Sequence, residues 1–504
     1  MDRLSGAFDY IILGAGSAGC ILAARLARAL PRGRILLVEA GTEIAPEHET
    51  VWEPTRWLLV SREEALEWGC WSVPQPELGH RRLPMLRARA LGGCSVHNAM
   101  VYVRGGRYGF DQWARSGCPG WDFASLLPFF EWVEGRLHLT RAAPDPFFED
   151  LVAACGHQGI PPTPDAPNSP DAFGVSLGRF VIDPQGRRQT TYSAFLGGQA
   201  PANLSIASGV RFERILFQSR RARGVVVTDS RTGRQAEVSA RREIIVAAGA
   251  IGSPHLLMLS GVGPEARLRD LGIPVVSALP GVGENFQDDL LVTSVFLSRK
   301  PLPPQPHGLM GAVIFTSTDP ATLPVRTDVQ FSLASGTLAG LGLPLEWRQS
   351  YALTPNLQLL GSRGTVTLAS TNPAEPPVID PRYLSAPGDL ERCLAGLKLA
   401  RALGHDRALS EWFAGEVLPG PDVRTDAQLE AYVRQTVDTC CHFAGTCRMG
   451  SDERAVVTPA LEVRGVEGLR VIDASVIPTT VSGNTAAATM MIAARGAELV
   501  LRGS

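Results

Sequence analysis

Gly14-Ala15-Gly16-Ser17-Ala18-Gly19 fits the pattern G-x-G-x-x-G, and Glu39 follows 20 residues after the last glycine. Glycines at this spacing do separate jobs: the first permits a tight turn, the second lets the backbone approach a pyrophosphate, and the third lets a helix pack on a strand. The N–H groups and partial positive charge at the start of that helix then face the phosphates. A carboxylate at position 39 can accept both ribose hydroxyls and disfavours a 2′-phosphorylated nucleotide. By itself the motif serves NAD and FAD alike. Other chemistries find no support. The 9 histidines include no H-E-x-x-H or comparable spacing, so no metal site is expected, and the chain has no G-x-S-x-G elbow and no P-loop.

The glycines work only between a strand and a helix, and the flanking residues predict both. Phe8 to Leu13 is an apolar, β-branched run, Cys20 to Leu30 carries Leu22, Leu26 and Leu30 at helical spacing, and Pro31 with Gly33 ends that helix. Arg34 to Val38 reads as a second strand ending at Glu39, which completes a parallel βαβ unit. Residues 42 to 90, rich in Trp, Pro and Arg, read as ordered loops and short helices, and Leu91-Gly92-Gly93 is a second glycine turn. Residues 157 to 175 are expected to form a surface loop.

Further strands are predicted at Leu204 to Ile206, Gly224 to Thr228 and Glu243 to Ala248, the last running into a helix after Gly249. Alternating runs at Val313 to Phe315, Val329 to Phe331, Leu357 to Leu360 and Gly364 to Leu368 suggest an antiparallel sheet. Leu390 to Leu403 and Asp426 to Asp438 read as helices, Gly468 to Asp473 as a strand closing on an acid, and Thr489 to Leu501 as a final helix.

The chain has 504 residues, room for about three globular units. Lys+Arg 48 against Asp+Glu 50 leaves a net charge of −2, so no nucleic acid or anionic membrane is expected as a partner. Hydrophobic residues are 45% and mean hydropathy is +0.04, against wholesale disorder. No window holds the roughly 18 uninterrupted apolar residues of a membrane span. The N-terminus leads straight into a strand without a small-residue cleavage site, which predicts a cytoplasmic protein. The 9 cysteines include no C-x-x-C, so neither a disulfide framework nor a four-cysteine zinc site is expected. Nothing in the sequence signals an oligomeric state.

Six blocks in order carry a resemblance over nearly the whole chain. They are GAGSAG with the later VEAG, RALGGCSVHNAMVYVRG, GAIGSPHLLMLSGVGP, LPGVGENFQDD, HFAGTCRMG and LRVIDASVIPTTVSGNTAAATMMIA. On these the chain resembles the glucose-methanol-choline (GMC) family of FAD-dependent oxidoreductases. The resemblance implies an α/β fold: a Rossmann-like FAD-binding domain with a second substrate-binding domain built on an antiparallel sheet flanked by helices. The FAD-binding domain is expected over 1–150, 200–290 and 440–504, and the substrate-binding domain over 151–199 and 291–439.

The resemblance also implies roles. His442 matches the family's catalytic histidine, and Asn484 occupies the place of its partner. Oxidising an alcohol means removing its hydroxyl proton and passing a hydride from carbon to flavin N5; a neutral imidazole can take the proton and an amide can orient the oxygen. FAD contacts are implied for Gly14, Ala15, Gly16, Ser17, Ala18, Gly19, Glu39 and Ala40, then for Gly93, Cys94, Ser95, His97, Asn98 and Val101. Val210, Ala248, Asp473, Ala474 and Thr485 complete the set, with Asp473 expected near the ribityl chain or pyrophosphate and Val210 near the adenine. The block Gly92-Gly93-Cys94-Ser95-Val96-His97-Asn98 is choline-oxidase-like, which makes His97 a candidate covalent anchor for the flavin.

Several positions depart from the family pattern. Cys441 replaces an aromatic residue before the catalytic histidine, with Cys440 ahead of it, and both read as small buried side chains. Asp289 stands where many members have histidine, Thr458 where many have aspartate, and Ala486 and Ala488 replace asparagine and proline. Choline is disfavoured as substrate, because the stretch Leu309 to Thr316, expected near the pocket, holds no tryptophan or glutamate to meet a quaternary ammonium. The expected activity is FAD-dependent oxidation of a primary, uncharged small-molecule alcohol to the aldehyde. Molecular oxygen or another electron acceptor would reoxidise the flavin. A flavin-bearing lyase on the same scaffold is the alternative.

Overall fold

The first strand grows from the apolar run Ala7–Leu13 (β1), followed by helix α1 over Ser17–Ala29 and strand β2 over Ile35–Val38. The computed structural model describes residues 6–61, 63–198, 200–304, 311–335 and 349–503. Every residue of β2 is buried, as suits a parallel strand covered on both faces. Leu30, expected inside the helix, stands just beyond it as the C-cap, where Pro31 forbids a further turn.

β1 pairs in parallel with β2 and with Gln235–Val246; β2 pairs in parallel with Leu204–Ala207, and Leu469–Val471 joins the far side of Gln235–Val246. Val210–Gln218 and Arg221–Asp229 extend the same seven-stranded sheet as an antiparallel meander. The last helix, Thr485–Arg502, starts four residues earlier than its apolar pattern suggests and packs on α1, where Arg25 donates to the Ala494 carbonyl at 2.8 Å.

A second, eight-stranded sheet is antiparallel throughout. Its main path runs Phe413–Leu418, Val295–Ser298, Ser350–Leu357, Val329–Ser335, Ala312–Thr316 and Gly174–Leu177. Helix Asp389–Gly404 lies on it so closely that a Cβ on Gly404 would come within 2.2 Å of the Phe296 ring.

Several local expectations need correction. Leu357 ends a strand and does not begin one; the Arg392 guanidinium takes the carbonyls of Gln358 and Leu359, drawing the chain out of the ladder. The segment 157–175 is not simply a surface loop. Ala166–Asn168 is a buried 3₁₀ turn and Gly174–Leu177 an edge strand; the Asn168 amide is satisfied there, donating to Asp165 and accepting from the Arg104 N–H, 64 residues away. Of the stretch Leu309 to Thr316, Leu309 and Met310 lie outside the described residues, while Ala312–Thr316 is a fully buried strand.

A short ladder of the antiparallel sheet leads into the segment that carries His442. Leu290–Leu291 pairs antiparallel both with Ser350–Leu357 and with Asp438–Thr439, the residues that follow helix Asp426–Thr436. The pairing continues to Asp289, whose carbonyl accepts from the Cys440 N–H, and resumes between Gln287 and Ala444. Between those rungs residue 288 alone faces 441–443, so the second strand bulges, with Cys441 in the left-handed region at φ +59°.

Candidate active site

The bulge turns His442 into a polar pocket. Its backbone N–H donates to Asp288 Oδ1 at 2.8 Å, and its Nδ1 lies 2.7 Å from Asp289 Oδ2. Asp288 is held in turn by the hydroxyls of Tyr383 and Thr439. Burial pushes the Asp288 carboxyl up to about 6, against the pull of those donors. Asp289 is fully buried, which raises its carboxyl, while His442 and then Arg392 act in the opposite direction.

On the other side of the imidazole, Asn484 Nδ2 stands 3.0 Å from Nε2 and the Cys440 sulfur 3.5 Å. Asn484 is the N-cap of the final helix, yet its side chain does not cap it. Instead Oδ1 accepts from Gln330 Nε2 at 3.2 Å, and Gln330 Oε1 accepts from Gln358 Nε2 at 3.0 Å. The helix forgoes an interaction worth about 1 kcal/mol so that the amide can face the histidine. Thus His442 and Asn484, 42 residues apart, meet as expected. Burial, followed by the nearby carboxylates for Cys440, keeps both thiols protonated, that of Cys441 pushed up to about 12. They are neutral side chains at this site, and both are half-buried, less enclosed than the sequence suggests, because the bulge leaves them at the open side of the ladder.

The residues expected to bind FAD gather where β1, β2 and α1 meet. Gly14 has φ +105°, and a Cβ on Gly19 would fall 1.8 Å from the Gly14 carbonyl oxygen, so helix and turn touch only because both are glycine. At Gly16, by contrast, an added Cβ would meet nothing nearer than Gly93 Cα at 3.9 Å. Helix α1, carrying Ser17, Ala18 and Gly19 in its first turn, starts from Gly16 with no side-chain cap and no acidic residue there, which suits a pyrophosphate.

Glu39, 7% exposed, accepts the N–H of Ala15 on one oxygen and of Gly41 on the other, and its backbone carbonyl accepts the N–H of Val210. The carboxylate therefore sits beside the glycine turn with lone pairs to spare, and Ala40 and Val210 lie next to it. Gly93, Cys94 and Ser95 form a 3₁₀ turn against Gly16, with the Ser95 hydroxyl bonded to Gly92 and Thr191. Asn98 accepts from Met100 N–H and Arg188, and Val101 bridges to Phe180. These donor and cradle features fit an FAD.

Asp473 and its neighbours close the far side. Its carboxylate accepts from the Gly249 N–H, the Ser253 hydroxyl and the Ser475 N–H, which ties the end of Leu469–Val471 to helix Gly249–Leu259. That places Ala248 and Ala474 together, with Thr485 opening the final helix.

His97 belongs to a second charged cluster. Its Nδ1 lies 2.7 Å from Glu67 Oε1, and Arg87 donates to the Cys94 sulfur at 3.4 Å while stacking 4.1 Å from the Phe443 ring centre. Burial alone would depress the imidazole, but Cys94 and Glu67 bring it up to about 9. Burial alone would raise the Cys94 thiol, but Arg87 and His97 bring it down to about 6. At neutral pH the pair is a thiolate beside an imidazolium. Sequence reasoning missed Glu67 and Arg87, which lie in the irregular stretch 42–90, Arg87 two residues ahead of the block that begins at Arg89. It also missed Gln330, and it registered Asp289 only as a departure from the family pattern.

A nucleotide-binding α/β half joined to an antiparallel half, with a histidine and an amide converging between them, defines a dinucleotide-dependent oxidoreductase. The chain belongs to the GMC oxidoreductase family, whose N-terminal profile matches residues 8–291 and whose C-terminal profile matches residues 361–493. Its cofactor is FAD. Among its relatives, an alcohol dehydrogenase (acceptor) from Pseudomonas putida is 35% identical over 98% of this chain and 96% of that protein. A choline oxidase from Arthrobacter globiformis is 34% identical over 98% and 94%. The crystal structure of pyridoxine 4-oxidase from Mesorbium loti superposes with a TM-score of 0.90 at 30% identity, covering 98% of this chain and 99% of that one.

Proposed function

We propose that the protein oxidises a primary, uncharged alcohol to the aldehyde, with His442 as the base, Asn484 as its partner and FAD bonded covalently to His97. The observation that carries the reading is the placement of the His442 imidazole between an acceptor on Nδ1 and a donor on Nε2. A carboxylate that can only accept keeps the proton on Nδ1, so Nε2 holds the lone pair. An alcohol hydroxyl entering beside Asn484 displaces the amide from Nε2 and gives its proton to that nitrogen, while the Asn484 amide orients the substrate oxygen. FAD, when bound, supplies the acceptor for the hydride leaving the carbinol carbon, and molecular oxygen or another acceptor restores it.

An alcohol as substrate agrees with the names of the relatives, an alcohol dehydrogenase and a choline oxidase. An uncharged one agrees with the described part of the Leu309 to Thr316 stretch, Gly311 to Thr316, which carries no acidic or tryptophan side chain. Covalent attachment agrees with Glu67 holding Nδ1 of His97, so that Nε2 is the nitrogen that can be alkylated once the imidazolium has given up its proton there. A cytoplasmic location agrees with 9 free cysteines, and among the described residues no helix is long and apolar enough to cross a membrane.

The test is turnover over a panel of benzylic, aliphatic and sugar alcohols and choline. His442→Ala should lower kcat by about 100-fold or more with flavin still bound, the usual scale for a general base. Undiminished turnover by that variant would remove His442 as the base. Acid precipitation should leave the flavin with the wild-type protein and release it from His97→Ala; release from both would exclude the covalent bond.

A further inference from the structure

We infer that Asp289 is the positioning residue of this site, selecting which nitrogen of His442 acts as the base and stabilising the imidazolium that forms. The inference rests on His442 as base and deepens that reading. The Asp289 side chain is wholly buried, and among the described residues only Oδ2 of its two oxygens has a partner, His442 Nδ1 at 2.7 Å. A carboxylate kept in the interior with a single hydrogen bond is costly unless it faces a group that gains charge.

The charged and titratable groups around it are few. Asp288 precedes it, bonded to Tyr383, Thr439 and the His442 backbone. Arg392 lies within electrostatic reach but pairs with Asp328, and the Cys440 thiol is neutral. None of these uses the Asp289 carboxylate as its hydrogen-bond partner.

Opposite Asp289, the amides run in one direction. Gln358 donates to Gln330, Gln330 donates to Asn484, and Asn484 presents its N–H to Nε2. Donors therefore arrive from the amide side and the acceptor waits on the carboxylate side, a polarity that one tautomer satisfies: hydrogen on Nδ1, lone pair on Nε2. When the substrate reacts, its O–H bond breaks, an Nε2–H bond forms, and the electron pair stays on the alkoxide oxygen. Asp289 keeps its negative charge and its hydrogen bond throughout, now to an imidazolium.

Asp289→Asn in the flavin-loaded enzyme tests this. The amide can occupy the same space but brings no charge, so kcat should fall about 100-fold or more, as when the acid behind a catalytic histidine is neutralised. KM and flavin content should change little, and the low-pH limb of kcat/KM should move to lower pH, since an imidazolium without a carboxylate loses its proton more readily. Wild-type kcat and an unmoved limb in Asp289→Asn, while His442→Ala is inactive, would overturn the role of Asp289 and leave the base intact. If His442→Ala itself remains active, the functional reading fails instead.

A measurement on the wild-type protein needs no variant to fold. In ¹⁵N-histidine NMR the ring of His442, assigned by its loss in His442→Ala, should show the Nδ1–H tautomer when neutral. The Nε2–H tautomer would overturn the proposal.

Discussion

Cys94 and His97 hold opposite charges through their neighbours and not through their own nature. Each would be neutral if burial decided; Arg87 against the sulfur and Glu67 against the ring reverse that for both. For the thiol, whose folded value of about 6 lies below its ordinary 9, the stabilisation is complete above pH 9 and lost as pH falls through 6. For the imidazole, raised from 6.5 to about 9, it is complete below 6.5 and lost as pH rises through 9. Both contributions overlap only between these limits. Alkylation of Cys94 by iodoacetamide, followed by mass spectrometry of its peptide, should show a midpoint near pH 6, and Arg87→Met should move that midpoint upward. An unmoved midpoint would mean the guanidinium is not what ionises the thiol. Neither Arg87 nor Glu67 is recognisable from sequence, because the stretch 42–90 has no periodicity and its side chains meet Cys94 and His97 only after the chain folds back.

At the scale of elements, the strand–turn–helix of residues 7–38 separates two kinds of glycine. A Cβ at position 19 would collide with the Gly14 carbonyl at 1.8 Å, so Gly19→Ala must push α1 off β1. Overpacking of this kind costs about 1–3 kcal/mol, read as a lower urea midpoint together with lost flavin. Gly16→Ala meets only Gly93 at 3.9 Å, and its φ of −76° suits any residue. Compared as flavin-free proteins, its urea midpoint should stay near wild type, while the FAD content of the protein as isolated falls, because the new methyl faces the space kept for the pyrophosphate. Equal loss of stability in both variants would contradict that division. The βαβ unit was legible because its signals are local: an apolar run, a glycine turn, leucines four apart and an acid at the strand end. The bulge at 441–443 was not, since it exists only as a mismatch between two strands some 150 residues apart.

Across the whole molecule, the residues expected to hold FAD come from segments around 14–19, 39–41, 93–98, 210, 248–249 and 473–474, which hydrogen bonds such as Ala15 to Glu39 and Gly249 to Asp473 tie together. A ligand that touches so many distant segments should stabilise the native state by mass action. Protein stripped of flavin should melt earlier, and FAD added back to His97→Ala at 100 times its dissociation constant should restore about 2.7 kcal/mol. Differential scanning calorimetry reads both; no rise in Tm on adding FAD would mean these segments do not form one site. By itself the sequence determined the nucleotide turn, the order of the strands that flank it, the family, and the identities of His442 and Asn484, since each is written in contiguous residues or in blocks in family order. Only the tertiary structure decided that Asp289 faces His442, that Gln330 holds Asn484 and that Glu67 holds His97. Those contacts join residues from 30 to 154 positions apart. They follow from the register of strands and the path of an irregular segment, and no local pattern of residue types encodes them.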